Sequence, residues 1–125
     1  MFEGSKAYYR TEAKNTPYDT TRKEVIEKMS EEKRQLKQQI AALLHQTAED
    51  HHVAYKETGG IDPDWSIWYA GHLLEKGFDQ MLDAKLLKSD LIYLLVLVDK
   101  QQMSEAPGAH WERYYADFFV SRYVK

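Results

Sequence analysis

The densest run of side chains able to hold a proton or a metal is His45-Gln46-Thr47-Ala48-Glu49-Asp50-His51-His52. Residues three and four apart share one face of a helix. His45, Glu49 and His52 would therefore stand together as three donors to a divalent metal. Glu49-x-x-His52 has the spacing used by carboxylate-bridged di-iron bundles. Such a centre also needs a second Glu-x-x-His and further carboxylates. The chain has no second copy, and His72-x-x-Glu75 runs in the reverse order. A solvated helix face accounts for the same three residues, because isolated motif matches are common. No cofactor is favoured, and a divalent metal on His45, Glu49 and His52 is the only one the sequence suggests.

His51 belongs to a different face. It continues the stripe Leu36, Ile40, Leu43, Leu44, Thr47, Ala48, His51, Tyr55. An imidazole there enters the interior and needs a partner for each ring nitrogen. A tyrosine or a loop carbonyl would make it an ordinary core histidine, and an unsatisfied nitrogen would make it an acid, a base or a ligand contact. His72 is the second inward histidine, on one stripe with Trp65, Trp68 and Tyr69, while Ile67, Ala70 and Leu74 cover the opposite face. His51, Tyr55, Trp65, Trp68, Tyr69 and His72 are thus the candidates to line a pocket for a small aromatic ligand. A heavily aromatic core joining helix pairs is the competing explanation.

The elements that must position these residues read as helices. Thr21-Arg22-Lys23-Glu24 matches a capping box, and Val25, Ile26 and Met29 follow as a short apolar stripe. Ser30-Glu31-Glu32 offers a second start or a bend. The periodic pattern then runs to Gly59-Gly60, which suits a left-handed helix end. Asp62-Pro63-Asp64 reads as the start of the next helix, with Asp62 as cap and Asp64 complementing the dipole. That helix should stop at Gly77. Residues 78–88 form a short helix or turn. Leu91 to Val98 is apolar throughout, and periodicity alone does not separate strand from helix there. Ser89-Asp90 before it and a polar continuation through Met103 favour helix. The last helix spans about 109–123, with His110 at its start. Residues 1–19 lack periodicity and read as an extended or partly disordered arm, leaving residues 20–125 as one helical domain.

One phrase occurs twice. Trp65-Ser66-Ile67-Trp68-Tyr69-Ala70 returns as Trp111-Glu112-Arg113-Tyr114-Tyr115-Ala116. Each copy follows a proline-containing loop and opens a helix with an aromatic stripe. The expected architecture is all-α, a bundle of about five or six helices built from two pseudo-repeated helix–loop–helix units. The second stripe, Trp111, Tyr114, Tyr115 and Phe118, is either buried or an interface for a second copy or another protein.

Composition narrows the function. The chain has 125 residues, 43% of them hydrophobic, enough for one core without staples. No cysteine is present, which removes disulfides, thiolate ligands and cysteine catalysis and fits a cytoplasmic protein. A net charge of -3 with both signs interspersed gives no pull toward nucleic acid or an anionic membrane. The opening residues carry no apolar run, so a signal peptide is not expected, and the run at Leu91–Val98 is too short to span a bilayer. There is no phosphate loop, nucleophile elbow or spaced Cys/His zinc set.

The set Leu43-Leu44-His45-x-Thr47-x-Glu49-x-His51-His52, Asp62-Pro63-Asp64-Trp65-x-x-Trp68-Tyr69-Ala70, Ser89-Asp90-Leu91-x-Tyr93-Leu94-Leu95 and Trp111-x-x-Tyr114-Tyr115-Ala116 resembles a group of small bacterial all-helical proteins. The resemblance spans residues 40–123. It implies that the His51 segment and the first aromatic helix belong together, and it brings no activity, cofactor or catalytic residue. The sequence therefore supports a self-associating cytoplasmic binding module with an aromatic, histidine-lined pocket. The alternative is a small metal-dependent or acid–base enzyme using His45, Glu49, His51 and His52.

Overall fold

The computed structural model describes residues 17–125. Five α-helices follow in order: α1 (Pro17–Ala54), α2 (Trp65–Glu75), α3 (Phe78–Met81), α4 (Lys88–Glu105) and α5 (Trp111–Tyr123), with a single 3-10 turn at Lys56–Thr58. No strand occurs among the described residues. The chain divides into two units after Arg34, the second being Gln35–Lys125.

The first unit corrects one expectation. Thr21 is not a cap, because α1 begins four residues earlier at Pro17. Proline suits a first helical turn, where its missing N–H has no partner to lose. Of the arm expected over residues 1–19, residues 1–16 lie outside the described residues, and 17–19 are helical. Ser30 does not break the helix. Val25, Ile26 and Met29 are exposed by 51%, 55% and 48%, so this short stripe faces outward.

The second unit has one core. Ile40 and Leu44 of α1, Ala70 and Leu73 of α2, Phe78 of α3, Leu91, Leu95 and Val98 of α4, and Ala116, Phe119 and Val120 of α5 are exposed by 1% or less. The apolar run in α4 resolves as a helix. Leu91, Leu94, Leu95 and Val98 are buried, at the three- and four-residue steps of a helix face. Ile92, Val96 and Leu97 are half-buried beside them. α4 packs against α2 and α5, and α2 against α3.

α2 sits differently from its sequence pattern. Its buried residues are Ser66, Ala70 and Leu73. Ile67, expected on a covered face, is 47% exposed, and Trp68, Tyr69 and His72 are half-buried at the flank. Phe78 and Phe119 meet edge to face at 5.0 Å in the interior. Phe119→Ala should therefore cost about 3–5 kcal/mol in a denaturant melt, as expected for a fully buried ring.

Candidate functional site

His51 is buried, with 6% exposure, on the stripe the sequence placed it on. Its Nε2 lies 3.0 Å from Asp62 Oδ2, and both side chains are 8% exposed. A carboxylate oxygen only accepts, so Nε2 donates. The chain reaches this pairing through a tight return after α1. Gly59 and Gly60 hold φ of 71° and 86°, and the N–H of Gly60 donates to the Tyr55 carbonyl at 2.9 Å. A Cβ at Gly60 would stand 2.8 Å from His52 Nδ1, so only glycine fits there. Asp62 thus departs from the expected cap. Its Oδ1 accepts the Asp64 N–H at 3.0 Å in the turn before α2, while Oδ2 turns inward to His51. Asp64 holds the N-cap position of α2 without a side-chain cap bond.

Aromatic rings complete the surround of His51. Tyr55 stacks on it at 4.7 Å, and Trp68 and Tyr69 approach at 5.2 Å and 5.3 Å. Trp68 also stacks on His72 at 4.8 Å with the planes 13° apart. His72 Nε2 is 3.0 Å from Asp50 Oδ2, close enough for attraction but out of line for a hydrogen bond. Beside this pair an open cavity of about 510 Å³ is bounded by Tyr55, Asp62 and Asp64, by Trp68, His72 and Glu75, and by Lys88 at the start of α4. The candidates His51, Tyr55, Trp68, Tyr69 and His72 are thus brought together, with Tyr55, Trp68 and His72 on the cavity wall.

Trp65 looks the other way. It meets Tyr69 edge to face at 5.2 Å, and the second copy of the phrase repeats that geometry, Trp111 to Tyr115 at 5.1 Å. These four rings line a smaller cavity of about 200 Å³ with Asp99 and Gln102 of α4. Tyr115 donates to Asp99 Oδ1 at 3.0 Å, and Gln102 donates to the Ala109 carbonyl at 3.0 Å. Tyr115 is buried, with 4% exposure. Trp111, Tyr114 and Phe118 are half-buried, and the Tyr114 hydroxyl donates to Glu105 at 2.9 Å.

The metal candidates lie on the opposite flank of α1. His45, Glu49 and His52 border one open cavity with Val53, Trp111 and Glu112. His45 Nδ1 is 3.0 Å from Glu112, and Nε2 is 3.2 Å from Glu49. Both ring nitrogens therefore face carboxylates. His52 turns toward Gly60. Among the described residues no three His, Asp or Glu side chains are grouped to hold a metal ion, and no helix is long and apolar enough to cross a membrane.

Sequence reasoning missed Asp62 as the partner of His51, and Glu112, Asp99 and Lys88 as wall residues. Asp62 carried a signal, since an acid at a helix start within a short return of an inward histidine can serve either. The other three had none, because their partners are distant in the chain. Comparison with known proteins finds no matching family model, no matching curated protein and no matching solved structure.

The hydrogen bond to Glu112, then the charge of Glu49, raises the His45 pKa above its ordinary value. Burial, the largest single influence, pushes Glu112 upward, but the His45 bond, a backbone hydrogen bond and the charges of His45 and His110 together outweigh it and the net shift is down. A raised folded pKa stabilises most below the unfolded value, about 6.5, and the benefit is lost as pH rises through the folded value. The melting temperature of the wild type should exceed that of His45→Gln at about pH 6, and the gap should close toward about pH 8.5.

Proposed function

We propose that this chain is a cytoplasmic binding module whose cavity beside Trp68 and His72 takes a small aromatic ligand. The observation that carries the reading is the cavity of about 510 Å³ with a stacked Trp68–His72 pair in its wall. Its volume falls in the usual range for small-molecule sites. A planar ligand continues the ring stack. Asp62, Asp64 and Glu75 outnumber Lys88 around the opening, which favours a ligand carrying a cationic or hydrogen-bond-donating group. The buried His51–Asp62 bond holds the loop that forms one wall, so these two residues position the site.

Self-association is part of the proposal, supported by the outward stripe of Val25, Ile26 and Met29 in the first unit. The two-unit organisation is proposed on the matching Trp–Tyr geometry of α2 and α5. A second reading, the small metal-dependent or acid–base enzyme, is supported on its acid–base side alone by one observation: Glu112 joins His45 and Glu49 at a shared cavity.

Heteroaromatic amines titrated into labelled protein should shift the Trp68 indole resonance. Trp68→Ala and His72→Ala should each weaken binding about tenfold, or ~1.4 kcal/mol. If no compound of this class perturbs Trp68, the cavity is not a ligand site. On a sized peak of native protein, elemental analysis should return far less than one metal per chain, at a mass above the monomer. One metal per chain, lost in His52→Ala, would put the enzyme reading first.

A further inference from the structure

The second cavity has a chemistry of its own, independent of the first. Four aromatic rings from two helices surround one space, and a single carboxylate stands in its wall. Aromatic faces carry partial negative charge, and a cation within about 6 Å of such a face is attracted to it. We propose that the cavity between α2, α4 and α5 binds the quaternary ammonium headgroup of a small molecule, with Trp65, Tyr69, Trp111 and Tyr115 as the cage and Asp99 as its counter-charge.

The polar groups select among cations. A primary ammonium must replace three hydrogen bonds to water. Here the Asp99 oxygen nearest Tyr115 already accepts the Tyr115 hydroxyl, and the Gln102 amide nitrogen already donates to Ala109. A methylated ammonium has no N–H to satisfy, so ring faces and one negative charge are sufficient. An anion would meet the Asp99 charge and the electron-rich rings around it. Burial raises the pKa of both Tyr69 and Tyr115, the Asp99 carboxylate adding to the effect on Tyr115, so both rings stay neutral beside the cation. The cavity, about 200 Å³, has room for several water-sized groups, enough for a trimethylammonium headgroup and the start of its chain.

The cage also gives the repeated phrase a purpose. Each copy supplies one Trp-x-x-x-Tyr pair in the same edge-to-face geometry, 5.2 Å in α2 and 5.1 Å in α5. One pair makes half a cage.

The test is a titration of the full chain with tetramethylammonium, with choline and with the neutral tert-butyl analogue of choline, read on the indole N–H resonances. Tetramethylammonium and choline should shift Trp65 and Trp111 and leave Trp68 in place. The neutral analogue should bind about tenfold more weakly. Asp99→Asn keeps an acceptor for Tyr115 and should weaken choline about tenfold. Trp111→Phe, at a half-buried position, should weaken it severalfold and serves if the first variant misfolds. Three results would overturn the proposal: equal binding of the neutral analogue, unchanged affinity in Asp99→Asn, or no movement of Trp65 and Trp111 at saturating cation. A shift confined to Trp68 would locate the cation in the larger cavity and also count against the cage. A trimethyllysine peptide binding where free choline does not would replace the small molecule with a protein partner.

Discussion

The arrangement depends on covering α4. Its face at Leu91, Leu94, Leu95 and Val98 is buried, and Ile92, Val96 and Leu97 extend the apolar surface well around the helix. A helix apolar on so much of its circumference must be enclosed, because each buried side chain of this size is worth about 1.5–3 kcal/mol over leaving it in water. α2 and α5 provide that cover. Both begin with tryptophan, so enclosing α4 brings the two aromatic phrases to either side of its polar end, at Asp99 and Gln102. The smaller cavity follows from that packing, because rings with rigid shapes cannot fill the gap around two polar side chains.

A second constraint acts at the end of α1. Thr47 and His51 are polar but lie on the face that enters the core, so each must be satisfied locally. Thr47 returns its hydroxyl proton to the Leu43 carbonyl at 2.7 Å. His51 has no such option and uses Asp62, which fixes the loop against the helix. The two glycines make that loop short enough to reach. The large cavity then forms where the loop, the flank of α2 and the first turn of α4 meet without filling the space between them.

Three histidines each stand beside a carboxylate from elsewhere in the chain: His45 beside Glu112, His51 beside Asp62 and His72 beside Asp50. Their surroundings set different consequences. His45 is largely open to water while its partner Glu112 is half-buried, and this pair answers to pH and salt. The His51 pair is shielded and acts as a structural bond. His72 meets its acid out of line, which leaves its Nε2 without a hydrogen-bond partner. Lys37 and Asp117, 3.2 Å apart, add a further exposed link between α1 and α5.

The all-helical class was legible from periodicity and punctuation: the Ile40–Leu44–Thr47–His51 stripe, the Gly59-Gly60 stop, the Gly77 stop and the polar continuation after Val98. So was the inward position of His51, since a helical face is a local property of the chain. The start of α1 was misread because Thr21-x-x-Glu24 is a valid cap only where a helix begins, and Pro17 had already begun it. The outward turn of Ile67 and the burial of Ser66 and Leu73 were not legible. Two faces of α2 are comparably apolar, and only the neighbour decides which one is covered. Likewise, no local pattern pairs His51 with Asp62, His45 with Glu112, or Tyr115 with Asp99. Sequence by itself determined the helices and the side chains each could turn inward, because those follow from spacing along one chain. Tertiary packing alone decided which acid meets which imidazole and where two aromatic pairs enclose a space, because these depend on distances between segments far apart in the sequence.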